Sequence, residues 1–274
     1  MWISAPIQTD SHRLSEQAFA LLMGPGSEIR VQDVSENAFL VSVLAPEDSS
    51  DDEPRAALGG HKAQRLFLIA LNVATLGRFY WADEPWVHPI VHVSESLESE
   101  RHQGTIVVRP AALDLPLADL SERDVQNAAI LFGTMARHPD SSLEAEYARG
   151  LLLMRMHYFD IDFRREAFAC FYRALEYFAA HRILHVKKLK NELRDLQRAI
   201  ESLGMAKELL GELKGIYAVR SSQVAHAQTI PRDVTLEEIM KTKTFLDFVM
   251  FKTYKRQGVK MLEAINDAQP SEET

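Results

Sequence analysis

The chain has 274 residues, of which 46% are hydrophobic and 26% are charged, a composition typical of a folded globular protein. Its formal net charge of -8 disfavours broad, non-specific binding to nucleic acids, which needs a basic surface, but leaves room for a local basic groove. The single cysteine, Cys170, excludes an internal disulfide and lies in an apolar stretch, so we expect an inert core thiol. We find neither a secretory signal nor an apolar run of about 18 residues, and we therefore expect a cytoplasmic protein without a membrane segment.

The first part of the chain predicts little regular structure before a hairpin. Residues 1–28 are interpreted as irregular, apart from a short helix at Leu14–Met23. Alternating apolar residues over Ile29–Leu44 predict two strands joined by a turn. Residues 46–54 (PEDSSDDEP) are acidic and carry no large apolar side chain, which favours a solvated loop over a metal site.

The apolar run Arg65–Leu76 fits either a buried strand or a short core helix, because periodicity does not separate the two in so short a stretch. Further strands are predicted at Trp86–Val93 and Thr105–Val108. His88 and His92 lie on the first of these strands. They would share a face there but stand too far apart to bind one zinc ion, so we expect no metal site.

The composition changes near residue 120, where a helical period replaces the strand pattern. We predict an α+β protein with a mixed α/β domain of unknown role at 1–118, a helical domain at 119–266 and a disordered tail at 267–274. No glycine-rich phosphate loop or nucleophile elbow occurs in the first domain. The helices are predicted at Ser121–Arg137, Ser142–Tyr158, Asp162–Ile183, Lys187–Leu203, Ala206 to before Pro231, and Thr235–Gly258. Short connections between the last four predict an up-and-down bundle.

The helix predicted at Lys187–Leu203 has an apolar seam in which leucine and isoleucine alternate spacings of four and three residues. Its opposite face is charged and is interpreted as solvated. The residues of that face are Lys188, Lys190, Glu192, Arg194, Asp195 and Arg198.

An arginine interrupts the apolar stripe of the next helix. Arg220 follows Leu213 and Ile216 at helical spacing, so it projects toward the packed side of the helix. A buried guanidinium needs a carboxylate, a phosphate or several carbonyls. Glu176 flanks the stripe of an earlier helix, and we predict that it faces Arg220 directly or through water. Removal of either partner would then cost roughly 3–5 kcal/mol.

Two stretches resemble the HEPN superfamily (higher eukaryotes and prokaryotes nucleotide-binding domains). They read FRREAFACFYRALEYFAAHRI and IYAVRSSQVAHA, and the resemblance covers roughly residues 145–257. It implies a helical bundle that dimerises. Many members are metal-independent ribonucleases with an arginine, four to six residues and a histidine, which correspond here to Arg220 and His226. Others are non-catalytic scaffolds or nucleotide-binding partners. Here Ser221 stands where active members often have a larger polar residue, and Ala227 where related sequences have glycine, which favours the second kind.

The two residues of this motif suit RNA cleavage. A histidine such as His226 can exchange a proton with a 2′-hydroxyl or with the leaving oxygen. The guanidinium of Arg220 can hold the phosphate, with Glu176 and Ser221 in supporting positions. Neither role needs a metal or a cofactor. We therefore keep two hypotheses, a non-catalytic module that binds nucleotide, RNA or a protein partner, and a metal-independent endoribonuclease. The layout also resembles that of an accessory protein encoded in methylamine-utilisation operons, which is a third alternative.

A basic cluster precedes the leucine seam. It consists of His181, Arg182, His185, Lys187 and Lys188, followed by Lys190. This cluster could contact phosphate or an acidic partner, or it could be a solvated turn. The spacing of its two histidines would allow a shared zinc ion on a helix, but no third ligand is evident, and we expect none.

Overall fold

The computed structural model describes residues 2–23, 28–44, 53–82, 90–93, 104–107, 117–158, 161–204, 207–224 and 233–268. The protein has a mixed α+β fold in which helices predominate, as the sequence predicts. A small antiparallel sheet forms one side, and helices pack against it and against one another. No helix in the described ranges is long and apolar enough to span a membrane.

The sheet has the strand order β3-β4-β1-β5. Its strands are β1 (Trp2–Thr9), β3 (Ile29–Gln32), β4 (Ala38–Leu44) and β5 (Phe79–Trp81), and each neighbouring pair is antiparallel. The predicted hairpin is therefore confirmed. The prediction of an irregular N-terminus is wrong, because β1 is an inner strand that pairs with β4 along its length and with β5 near its end. Pro6 lies in the middle of β1, and a proline there argues against an inner strand on pattern alone.

The ambiguous apolar run belongs to a helix, α2 (Glu53–Thr75). Every residue from Leu66 to Leu71 is buried, so this part of α2 has no solvated face. The helix lies between the sheet and the later helices, which contact it from the other side. A helix buried all round has no amphipathic period, which explains why the sequence pattern did not identify it.

Short elements complete the first part of the chain. Ser15 caps a single 3₁₀ turn at Glu16–Phe19 that continues into α1 (Ala20–Met23), close to the predicted short helix. The two-residue strands β2 (His12–Arg13) and β8 (Ala118–Asp119) pair in parallel. The strands β6 (Ile90–Val93) and β7 (Gly104–Val107) form an antiparallel pair that overlaps the two predicted strand regions. Trp86 to Pro89, with His88, lie outside the described residues.

The helical part begins with α3 (Glu122–Arg137), whose capping box of Ser121 and Asp124 was predicted. Asp140 caps α4 (Ser141–Arg155), which ends before the predicted Tyr158 because a bridge between β9 (His157–Tyr158) and β10 (Ile161–Asp162) follows. The helix α5 (Arg164–Phe178) has Phe163 at its N-cap, so the predicted opening at Asp162 is two residues early. A wide π-type turn (Ala179–Ile183) extends α5.

The last helices are α6 (Glu192–Ser202), α7 (Lys207–Val219), which a second π-type turn extends over Arg220–Val224, and α8 (Leu236–Ala268). The prediction that α6 starts at Lys187 is wrong. Asn191 caps the helix, and Asp195 accepts hydrogen bonds from the backbone N–H groups of Lys190 and Asn191. Thr235 and Glu238 form the predicted capping box of α8. This helix continues beyond the predicted end at Gly258, and residues 269–274 of the predicted tail lie outside the described residues.

The buried apolar side chains of both parts of the chain belong to one continuous cluster. The predicted stripe of α5, with Phe168, Phe171, Leu175 and Phe178, is fully buried in it. The helices α4 and α5 approach so closely at Gly150 that a Cβ atom there would stand 2.9 Å from the Phe171 ring. The boundary predicted between residues 118 and 119 stays a prediction.

Candidate functional site

A cleft of about 620 Å³ lies where the C-terminal end of α5 meets the start of α6 and the end of α7. We call it the cationic cleft. Its charged lining consists of Arg173, His181, Lys187, Lys188, Lys190 and Arg220, with the carboxylates of Glu176 and Glu192. Tyr177, Ala180 and Leu189 supply its apolar lining. Five of these side chains are permanently cationic, so the cleft is basic although the chain as a whole is acidic.

Both π-type turns contribute to the cleft. The turn after α5 provides Ala180 and His181, and the turn after α7 provides Arg220. A π-type turn holds one residue more than a turn of α-helix, and such turns occur often at functional sites. Here the two turns bring side chains of separate helices to the same opening.

Arg220 forms an ion pair with Glu192, with 2.9 Å between its terminal nitrogen and the carboxylate oxygen. The hydroxyl of Tyr172 donates to the other oxygen of Glu192 at 2.6 Å. The guanidinium lies 5.8 Å from the centre of the Tyr172 ring. The side chain of Arg220 is 31% exposed, so it is held in place and still borders the cleft.

The predicted partner of Arg220 was Glu176, whereas the ion pair that forms is with Glu192. Glu176 lies beside both groups. Burial and the neighbouring charge of Glu192 raise the pKa of Glu176 to about 7, while Arg220 acts in the opposite direction. The error has a local cause. The prediction started α6 at Lys187 and assigned Glu192 to its solvated face, but α6 starts at Glu192 itself, and the carboxylate turns toward α5 and α7.

The structure divides the predicted basic cluster. Lys187, Lys188 and His181 line the cleft, together with Lys190. Among the described residues, no carboxylate lies within ion-pair distance of these three lysines, which are all exposed. Arg182 instead donates a hydrogen bond to the backbone carbonyl of His138 and contributes nothing to the lining.

The remaining predicted site residues lie elsewhere. His185 is exposed in a left-handed conformation, with φ of 53°, and is not part of the lining. The hydroxyl of Ser221 donates to the backbone carbonyl of Tyr217 at 2.9 Å, so it is used within its own helix. His226 lies outside the described residues. Of the two residues proposed for catalysis, only Arg220 is therefore placed at the cleft.

A second ion pair was not predicted. Lys243 and Asp247 of α8 are fully buried, with 2.6 Å between the ammonium nitrogen and a carboxylate oxygen. Lys243 also donates to the carbonyl of Gly77 at 2.5 Å, and the hydroxyl of Tyr147 donates to Asp247 at 2.5 Å. Burial lowers the pKa of Lys243 and raises that of Asp247. The spacing of four residues within an apolar helix is the signal by which the sequence could have shown this pair.

The buried pair adjoins a larger cavity of about 770 Å³ between the turn after α2 and the helices α7 and α8. We call it the apolar groove. Met240, Phe245 and Phe248 of α8 line it, together with His12. Burial lowers the pKa of His12, so its ring is neutral at pH 7. Its Nδ1 atom lies 2.9 Å from the Ser11 hydroxyl.

Two further observations concern metal-binding groups and the thiol. Within the described ranges, no group of three or more side chains is arranged to hold a metal ion. Cys170 is buried as predicted, and burial raises the pKa of its thiol to about 11, which keeps it protonated and unreactive at neutral pH.

Comparisons of the chain with protein-family models, with curated proteins and with solved structures each found no match.

Proposed function

We propose that the protein is a HEPN-like, non-catalytic module that binds nucleotide or RNA phosphates in the cationic cleft and acts as a homodimer. The observation that carries this proposal is the ion pair of Arg220 with Glu192 at the edge of the cleft. The carboxylate of Glu192 already compensates the positive charge of Arg220. The guanidinium therefore has less charge left to stabilise a transition state, which favours binding over catalysis.

The lysines of the cleft support an anionic ligand. Lys187, Lys188 and Lys190 lie on one short segment without carboxylate partners in the described part of the chain. Three unpaired cations at a concave surface raise the local concentration of anions. Phosphate groups suit such a site because each oxygen accepts a hydrogen bond from an ammonium group.

The order of the helices supports the family part of the proposal. The helices α5 and α7 both pack against α8, and α6 packs against α7. This arrangement agrees with the bundle that the resemblance implies. The homodimer follows from the resemblance alone. Light scattering on the purified protein tests it, and a monomer at micromolar concentration would remove this part of the proposal.

Binding of a labelled single-stranded RNA without terminal phosphates, followed by fluorescence anisotropy, tests the ligand. We expect the triple change of Lys187, Lys188 and Lys190 to serine to weaken binding at least tenfold and to reduce the slope of log affinity against log salt. The matched control changes the exposed residues Lys62, Lys214 and Lys255 to serine, which alters the net charge equally. Equal losses in the two triple variants would place the binding outside the cleft.

The alternative function is metal-independent RNA cleavage, and one observation favours it. Glu176, with a pKa of about 7, lies beside Arg220, so an acid–base group and a phosphate-binding group share the cleft. Incubation of a mixed RNA pool in excess chelator tests this function, with Arg220→Ala, His226→Ala and Glu176→Gln as variants. Cleavage by the wild type that leaves cyclic phosphate ends, and that the variants lose, would replace the non-catalytic proposal.

A further inference from the structure

The cationic cleft has an apolar side that phosphate binding does not use. Tyr177, Ala180 and Leu189 line it next to the lysines. Tyr177 is 37% exposed and is one of the large apolar side chains that the fold leaves accessible. A single exposed aromatic residue is unremarkable on a flat surface. This one borders a concave, strongly cationic site, and that combination needs an explanation.

Tyr177 has an aromatic neighbour at the cleft. Tyr177 lies in the last turn of α5, and its ring meets the ring of His181 edge-on, with 5.4 Å between the centres and 68° between the planes. This contact leaves the ring of Tyr177 partly accessible at the cleft. Among the described residues, the Tyr177 hydroxyl has no hydrogen-bond partner, so the side chain is not held there by a polar network.

We infer that Tyr177 is a stacking platform for a nucleobase and that the ligand of the cleft is a nucleoside phosphate, an inference that rests on the function proposed above. Every nucleobase has a flat face that stacks on aromatic side chains, whereas its phosphates are anionic. The cleft is divided in the same way. Tyr177 and Leu189 offer apolar surface, and Lys187, Lys188 and Lys190 lie alongside.

The size of the cleft agrees with this ligand. Sites for small organic ligands enclose about 300–1,000 Å³, and the cleft has about 620 Å³. An acidic peptide would satisfy the lysines equally well but would leave the ring of Tyr177 without a flat partner. A free inorganic phosphate would use only the cationic side. The combination of ring and lysines therefore favours a base joined to phosphate, either as a free nucleotide or within an RNA strand.

Titration calorimetry with two probes that carry the same three-phosphate chain separates stacking from charge. The probes are adenosine triphosphate and inorganic tripolyphosphate, both in chelator and at low salt. We expect the wild type to bind adenosine triphosphate about tenfold more tightly than tripolyphosphate, because base stacking on an aromatic ring contributes roughly a factor of ten. Tyr177→Ala should lose this advantage and bind both probes with the wild-type affinity for tripolyphosphate. Tyr177→Phe should keep the advantage.

The matched control is Ile130→Ala, which removes an exposed apolar side chain far along the chain from the cleft. It should bind both probes as the wild type does. The stacking role would be overturned if the wild type bound the two probes with equal affinity. It would also be overturned if Tyr177→Ala lowered the affinity for both probes by the same factor. Either result would leave the proposal of phosphate binding intact. Failure of the wild type to bind either probe would overturn the proposed function itself.

A third titration separates the two sources of a nucleoside phosphate. A tetranucleotide RNA without terminal phosphates presents several bases and a diester backbone. Tighter binding of the tetranucleotide than of adenosine triphosphate, with the same loss in Tyr177→Ala, identifies RNA as the natural ligand. The reverse order identifies a free nucleotide. If Tyr177→Ala binds both the tetranucleotide and adenosine triphosphate with the wild-type affinity, the inference is wrong.

Discussion

Two ion pairs in this protein have the same three parts and opposite surroundings. In each, a cation binds one oxygen of a carboxylate while a tyrosine hydroxyl donates to the other oxygen. Lys243, Asp247 and Tyr147 form the first, with both charged side chains 0% exposed. Arg220, Glu192 and Tyr172 form the second, where the charged side chains are 31% and 21% exposed.

The difference in burial between the two sets determines whether a ligand can reach the cation. No ligand can reach Lys243, whose ammonium group is used by Asp247 and by the carbonyl of Gly77. Its set ties α8 to the turn after α2. Arg220 borders an open cleft, where a phosphate can compete with Glu192 for the guanidinium. The same chemistry is therefore structural in one place and available for exchange in the other.

The largest effect is expected when the buried set loses one charge. Asp247→Ala should lower the free energy of unfolding by about 3–5 kcal/mol, because it leaves a buried ammonium group without its carboxylate. The double variant Lys243→Met with Asp247→Leu should recover much of this loss, since no charge is then stranded. Urea denaturation measures both. A double variant less stable than Asp247→Ala would show that the pair itself, and not its compensation, stabilises the fold.

Removal of each tyrosine hydroxyl should show how much its hydrogen bond contributes to the stability of the protein in each set. Tyr147→Phe should cost about 1.5–3 kcal/mol, as expected for a buried hydrogen bond to a charged group. Tyr172→Phe should cost about 1 kcal/mol or less, because Glu192 is partly exposed and water can donate to its carboxylate in place of the hydroxyl. The two substitutions are chemically identical, so each serves as the control for the other in urea denaturation. Equal losses would contradict the contrast in exposure.

Removal of the competing carboxylate should strengthen binding in the cleft. Glu192→Gln keeps an acceptor for Tyr172 but removes the negative charge that engages Arg220. We expect the affinity for single-stranded RNA to rise about threefold to tenfold, with less than about 1 kcal/mol lost in stability because the pair is partly exposed. Glu201→Gln on the exposed side of α6 is the control and should change neither. A weaker affinity in Glu192→Gln would mean that Glu192 positions Arg220 for the ligand.

The smallest effect concerns pH. Glu176 has a raised pKa of about 7, so it is neutral below that pH and negatively charged above it. The affinity for RNA without terminal phosphates should therefore fall a few-fold as the pH rises from 6 to 8, because a carboxylate next to Arg220 repels the ligand. Glu176→Gln should bind with the affinity of the low-pH form throughout. The control Glu166→Gln, at the exposed start of α5, should keep the wild-type profile. An unchanged profile in Glu176→Gln would assign the titration to another group.

The parts of the fold that repeat a simple period were accessible from the sequence. The buried stripe of α5 and the capping boxes at Ser121 and Thr235 depend only on neighbours within a few residues, and they are confirmed. The inner strand β1 and the apolar part of α2 were missed or left ambiguous. Their burial depends on which distant segments cover them, and the local pattern does not contain that information.

The candidate site shows the same limit. Arg220 was predicted to be a site residue because it interrupts an apolar stripe, and this pattern is visible in the local sequence. Its partner Glu192 was assigned to solvent, because the carboxylate's direction depends on where α6 begins. Lys243 and Asp247 lie four residues apart among apolar residues of one helix, a spacing that could have predicted their ion pair. The charges alone did not show that the pair is buried.

The cleft depends on one extra residue in each of the two π-type turns. Each turn holds one extra residue within an otherwise regular helical path. Deletion of that residue would let the helix close into α geometry and turn the residues at its end by about 100° relative to the rest of the helix. Arg220 and His181 would then leave the opening while the packed stripes of α5 and α7 kept their places. A single codon lost at either turn would thus move cationic side chains out of the cleft while the part of the helix before the turn kept its packing, so we expect insertions and deletions at these turns to change binding during evolution.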